Sequence, residues 1–126
     1  SVGPGKNLIG GFVITGNSPK RVLIRGIGPA LAEFGIEDTL PSARLVLVQH
    51  VDSERVTIGI NLGWSTNPGA EAIEEASTQA GAFLLKAGSR DSALLLWLEP
   101  GVYTFTVQPG SPSLSGTALI EVYQVD

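Results

Sequence analysis

The chain has no cysteine, no methionine and a single histidine, His50, among its 126 residues. The missing cysteines exclude a thiol nucleophile, a disulfide framework, an iron–sulfur cluster and every cysteine-based zinc site. Any mechanism that needs an imidazole must use His50. Charge is also scarce. Asp, Glu, Lys and Arg make up 16% of the chain, against about a quarter in an average globular domain. Eight basic residues face twelve acidic ones, a formal net charge of −4. Affinity for nucleic acid rests on neutralising phosphates with Lys and Arg, and only Lys20 and Arg21 are adjacent basic residues here. Nucleic acid is therefore not an expected partner. The longest apolar run, residues 93–98, stops at Glu99-Pro100, far short of the ~18 residues a membrane-spanning helix needs. No membrane insertion is expected. No signal peptide is visible, and Ser1 reads as the start of a processed or trimmed chain.

What the chain does have is apolar residues, at 43%, and turn formers, with 16 Gly and 8 Pro. A length of 126 residues suits one domain. We read residues 1–126 as a single β-sandwich domain, with 1–6 (SVGPGK) as a flexible N-terminal segment. Strands are expected at 7–15, 21–27, 44–51, 56–60, 92–98, 103–107 and 117–125. The segment 103–107 (YTFTV) alternates strictly, and Gly10-Gly11 inside the first strand signals a bulge or a close backbone approach. The first two strands, joined by Gly16-Asn17-Ser18-Pro19, read as a hairpin-like start. Short helices are expected at 29–34, with Pro in its first turn, and at 70–80, each followed by a glycine stop. Residues 81–85 read as a short strand or an extended link. Strands do not alternate with long helices, which argues against a parallel sheet. The expected class is mainly β: an antiparallel two-sheet, jelly-roll-like sandwich with two short helices.

Several motifs invite a chemical reading and fail it. Gly26-Ile27-Gly28 stands between a strand and a helix, as in a dinucleotide fingerprint, but the third glycine position is Leu31 and Pro29 removes an amide donor. His50 has Asp52 nearby but no Gly-x-Ser-x-Gly elbow to supply a nucleophile. Asp52 and Glu54 read as a solvated turn rather than calcium ligands. Glu71, Glu74 and Glu75 suit a helix N-terminal half without any catalytic role. No catalytic residue, cofactor or metal is expected.

Three features carry more weight. Arg25 interrupts an apolar strand and Asp91 precedes another; a buried charge needs a partner, so Arg25 and Asp91 are expected to pair. Residues 92–98 (SALLLWL) are apolar on both faces. One face can meet the opposing sheet, while the other needs helix 70–80 or a neighbouring subunit. Leu94, Leu96 and Trp97, with Leu8 and Ile9 of the first strand, are the candidate interface residues. Trp64 is a candidate platform for a sugar ring.

The stretches LIGGFVITG (8–16), VLIRGIGPALAEFGI (22–36), GAFLLKAGSRDSALLLWLEPGVYTFTV (81–107) and SGTALIEVY (115–123) together resemble a β-sandwich module of large secreted and cell-surface bacterial proteins. It occurs notably in Verrucomicrobia and Planctomycetes, often beside immunoglobulin-like or fibronectin-like repeats. The second half also resembles bacterial pre-peptidase C-terminal domains. Such modules often carry an acidic N-D-D-W or N-D-N-W motif. Here the segment is Asn61-Leu62-Gly63-Trp64, so the carboxylate of any cation site is gone. Together with the missing catalytic residues, the resemblance leads to the expectation of an extracellular or cell-surface, non-enzymatic structural or adhesive module. Its partners would be further copies or neighbouring domains of the same protein, assembling as a filament or surface layer. Polysaccharide binding through exposed aromatics is the alternative.

Overall fold

Alternation along each strand decides where that strand lies. In the computed structural model, which describes residues 1–125, seven strands form two sheets. They are β1 (Leu8–Ile14), β2 (Lys20–Ile27), β3 (Ala43–Val51), β4 (Glu54–Leu62), β5 (Ser92–Leu98), β6 (Gly101–Pro109) and β7 (Leu119–Val125). One sheet has the order β1-β6-β3-β4 and the other β5-β2-β7. All of the neighbouring strands pair antiparallel. The architecture is therefore the antiparallel sandwich expected from the sequence.

The expected hairpin between the first two strands does not form. β1 pairs with β6, and β2 lies in the other sheet between β5 and β7. The reason is burial. Every residue from Val22 to Ile27 is buried, so β2 needs strands on both sides and cover on both faces. β1 alternates half-buried and exposed residues, which suits an edge strand with one wet face. A tight hairpin joins β3 to β4, with Val51 opposite Glu54. There Asp52 takes the left-handed conformation at φ 56°, a geometry Asp tolerates better than most residues.

Two cores result. Between the sheets lie Val22, Ile24, Leu94 and Leu98 from one side and Leu45, Leu47, Tyr103, Phe105 and Val107 from the other. Burying each such side chain stabilises by about 1.5–3 kcal/mol. The pairing of Gly10 with Phe105 explains the first glycine of the pair in β1: a Cβ there would stand 2.7 Å from the Phe105 ring. The second core lies on the other face of β5-β2-β7. Leu23, Ile27, Ala93 and Val125 pack there against Ile73 and Ala76 of α1 (Ala70–Ala80), with Trp64 and Leu85. The cover required by the doubly apolar strands is thus the helix. It ends at Gly81 (φ 75°), whose amide and that of Ala82 bond the carbonyls of Thr78 and Ser77. The expected helix at Pro29–Phe34 is a 3-10 helix, a second short one spans Trp64–Thr66, and residues 82–86 form an extended link without strand pairing.

The N-terminal segment departs from the flexible reading. Val2 is 1% exposed and sits in the inter-sheet core beside Leu40. Its amide donates to the Gly116 carbonyl at 2.7 Å and its carbonyl accepts from Gly116 at 2.8 Å. Gly3 and Lys6 close a turn on each other. An apolar side chain with a buried slot and two backbone bonds anchors a segment whose composition alone suggests a tail.

Candidate functional site

Arg25 and Asp91 are both fully buried but do not pair with each other. Arg25 points toward the helix layer. Its Nε stands 3.0 Å from Glu121 Oε1, its Nη1 donates to the Phe83 carbonyl at 2.6 Å, and its guanidinium lies 4.5 Å from the centre of the Phe83 ring. Glu121 is its cross-strand neighbour on β7. Burial pulls the guanidinium below its ordinary pKa, and the charges of Glu121, Tyr123 and Asp91 oppose that shift. Asp91 instead ties loops together. Its Oδ1 accepts from the amides of Gly28 (2.7 Å) and Ala30 (3.2 Å), and its Oδ2 accepts from the Ser89 hydroxyl at 2.9 Å. The expected pair fails because a cross-strand register unseen in the sequence puts Glu121 beside Arg25, while backbone amides already satisfy Asp91. The same bonds explain Gly26-Ile27-Gly28. The Gly28 amide is occupied by Asp91, and a Cβ at Gly28 would lie 2.3 Å from the Leu40 carbonyl oxygen.

Trp64 is not a sugar platform. It is 2% exposed, and its indole N–H donates to the Lys86 carbonyl at 2.8 Å. A tryptophan whose N–H finds a partner can be buried without penalty. Asn61, the first residue of the altered N-x-x-W segment, accepts from the Ala93 amide at 3.0 Å, and Asn67 donates to the Ala93 carbonyl at 3.2 Å. These amide side chains cap the outer edge of β5, which blunts that edge against strand addition. Nothing in the sequence reading pointed to Asn67; its turn position before Pro68 was the available signal.

Of the candidate interface residues, Leu94 is buried and Leu96 is partly buried against the inter-sheet core. Both face β4, where a Cβ on Gly59 would meet the Leu94 methyls at 3.3 Å. Leu8 is likewise half-buried on the core side. These three are core residues, because period-two alternation turns them inward. Ile9 and Trp97 alternate outward and are 65% and 66% exposed.

Ile9 belongs to a larger surface, the outer face of β1-β6-β3-β4. The register aligns Ile9, Thr106, Val46 and Ile60 in one row, and Val13, Val102, His50 and Arg55 in another. Arg44 stands between Leu62 and Gln108, donating to the Gln108 amide oxygen, and His50 Nε2 is 2.9 Å from the Thr104 hydroxyl. Val13 (60%), Ile60 (50%), Leu62 (48%) and Val102 (47%) are exposed alongside Ile9. Among the described residues, neither hydrophobic core lies on this face, in contrast to the helix-covered face of the other sheet. Four strands about 4.8 Å apart, over about seven residues of about 3.4 Å each, give a face on the order of 450 Å². Its exposed apolar side chains are interleaved with Arg44, His50, Arg55, Thr104, Thr106 and Gln108.

Two phenols, buried Tyr103 and half-buried Tyr123, add a pH dependence. Tyr103 donates to the Glu99 carbonyl at 2.7 Å, and Tyr123 donates to Glu121 Oε2 at 2.8 Å. Burial raises the pKa of both; Glu99 adds to the rise at Tyr103, and the Glu121 hydrogen bond adds to it at Tyr123. A raised folded-state value means stability that is complete below the unfolded pKa of about 10 and is lost as pH climbs above it. Urea midpoints are expected to hold from pH 7 to 9 and fall beyond about pH 10. Tyr103→Phe/Tyr123→Phe should flatten that fall.

Among the described residues, no group of three or more His, Asp or Glu side chains gathers as a metal site, and no helix is long and apolar enough to cross a membrane. Comparison with known proteins finds no matching family model, no matching curated protein and no matching solved structure.

Proposed function

We propose that the chain is a non-enzymatic structural or adhesive module that works by contact with further copies of itself or with adjoining domains. The observation that carries this reading is the open apolar face of β1-β6-β3-β4, with Ile9, Val13, Ile60, Leu62 and Val102 exposed together. Burying such a face against a partner removes apolar area from water, the main driving force for association. An extracellular, bacterial cell-surface setting and a filament or surface-layer role fit the resemblance of residues 8–16, 22–36, 81–107 and 115–123 to secreted modules. Sedimentation velocity over a concentration series tests the reading. The mean mass is expected to rise with concentration, and a strictly monomeric profile would count against it.

Sugar binding is kept as a second reading for one reason. Trp97 presents an exposed indole beside a cleft of about 270 Å³, lined also by Arg21, Asn67, Gly69 and Ala72. Pull-down on insoluble polysaccharides separates the readings. Binding lost in Trp97→Ala, with unchanged sedimentation, would favour the sugar.

A further inference from the structure

The layer order places two chemically opposed surfaces at opposite ends of the molecule. α1 packs on the far side of β5-β2-β7, and the open face of β1-β6-β3-β4 looks the other way. The solvent side of α1 carries Glu71, Glu74 and Glu75 and no basic residue. These glutamates flank a shallow depression that also holds Leu84, itself 55% exposed. The nearby Lys86 is already paired with Glu33 at 3.3 Å. The open sheet face carries Arg44 and Arg55, and no carboxylate stands at an outward position of its four strands. A chain of net charge −4 has thus gathered cations on its apolar face and anions on the opposite one.

We propose that the acidic helix face of one copy docks on the cationic apolar sheet face of the next, so that the chain stacks head to tail. The inference rests on the self-association reading and specifies its geometry. Charge decides between the two ways of covering the sheet face with a second copy. Face to face, two faces whose charged outward residues are cationic would be brought together, with no outward carboxylate on either to pair with them. Head to tail, they meet glutamates, and Leu84 supplies an apolar contact among them. A contact between two different patches, repeated without closure, builds an open filament rather than a symmetric dimer. The 11-residue helix α1, about 16 Å long and about 10 Å across, covers only part of that face, so the contact is of the small, transient kind. Added salt should weaken such stacking, since its charges lie at a solvated rim.

The test is charge exchange, read by sedimentation velocity with circular dichroism to confirm folding. Glu71→Lys/Glu74→Lys/Glu75→Lys is positive on both faces, and Arg44→Glu/Arg55→Glu is negative on both. Each variant alone is expected to associate more than about tenfold more weakly than the wild type. An equimolar mixture should regain association, since each variant offers the other a complementary face at both ends. Wild-type association that survives the glutamate reversal unchanged, or a mixture that stays dissociated, overturns head-to-tail stacking and leaves self-association standing. A wild type that is monomeric throughout overturns both.

Discussion

Asp91→Ala is expected to cost about 3–5 kcal/mol of folding stability, although the residue lies in a loop. The carboxylate is fully buried and accepts from the Gly28 and Ala30 amides and the Ser89 hydroxyl. Each buried donor left unpaired costs about 1–3 kcal/mol, and bonds to a charged acceptor are the stronger kind. Against a total stability of about 5–15 kcal/mol, such a loss brings the domain near unfolding. Asp91→Asn keeps an oxygen for the two amides and should lose only about 1–2 kcal/mol. Denaturant midpoints of the two variants decide the point. Equal, small losses in both would show that the amide contacts do not hold the turn.

The second large effect concerns Arg25. Glu121→Ala leaves a fully buried guanidinium without its counter-charge and frees the Tyr123 hydroxyl. Removing one partner of a buried pair typically costs about 3–5 kcal/mol. Some water reaches Glu121, whose side chain is 16% exposed, so the lower end of that range is expected. Arg25→Met/Glu121→Leu removes both charges and should stand within about 2 kcal/mol of the wild type, because well-packed apolar replacements of buried pairs are often neutral. A double-mutant cycle should therefore give strong coupling between Arg25 and Glu121 and weak coupling between Arg25 and Asp91. The reverse pattern would restore the pairing that the sequence alone suggests.

Local features were legible in the sequence where the cause was local. Strand β5 and helix α1 begin and end where residue types place them, and the double-sided apolar character of residues 92–98 correctly required cover on a second face. Partnerships across the chain were not legible. Arg25 announces that it needs a carboxylate, but only the register of β2 against β7 selects Glu121. Trp64 reads as an exposed aromatic until the Lys86 carbonyl is brought to its indole N–H. Residues 1–6 look like a tail because nothing near them in sequence shows the slot that Val2 fills beside Leu40. The open sheet face was half legible. Ile9 stands out in the sequence, but Ile60, Leu62 and Val102 join it only once β1, β6, β3 and β4 are ordered side by side.

We propose this open face as the surface through which the molecule makes contact. Its most direct test is sedimentation velocity of the wild type against Ile60→Lys/Val102→Lys, over the same concentrations. Both substituted side chains already face solvent, so the fold should tolerate them. The wild-type mass should grow with concentration, and the variant should stay monomeric. A variant that associates as the wild type does would place the contact elsewhere on the molecule.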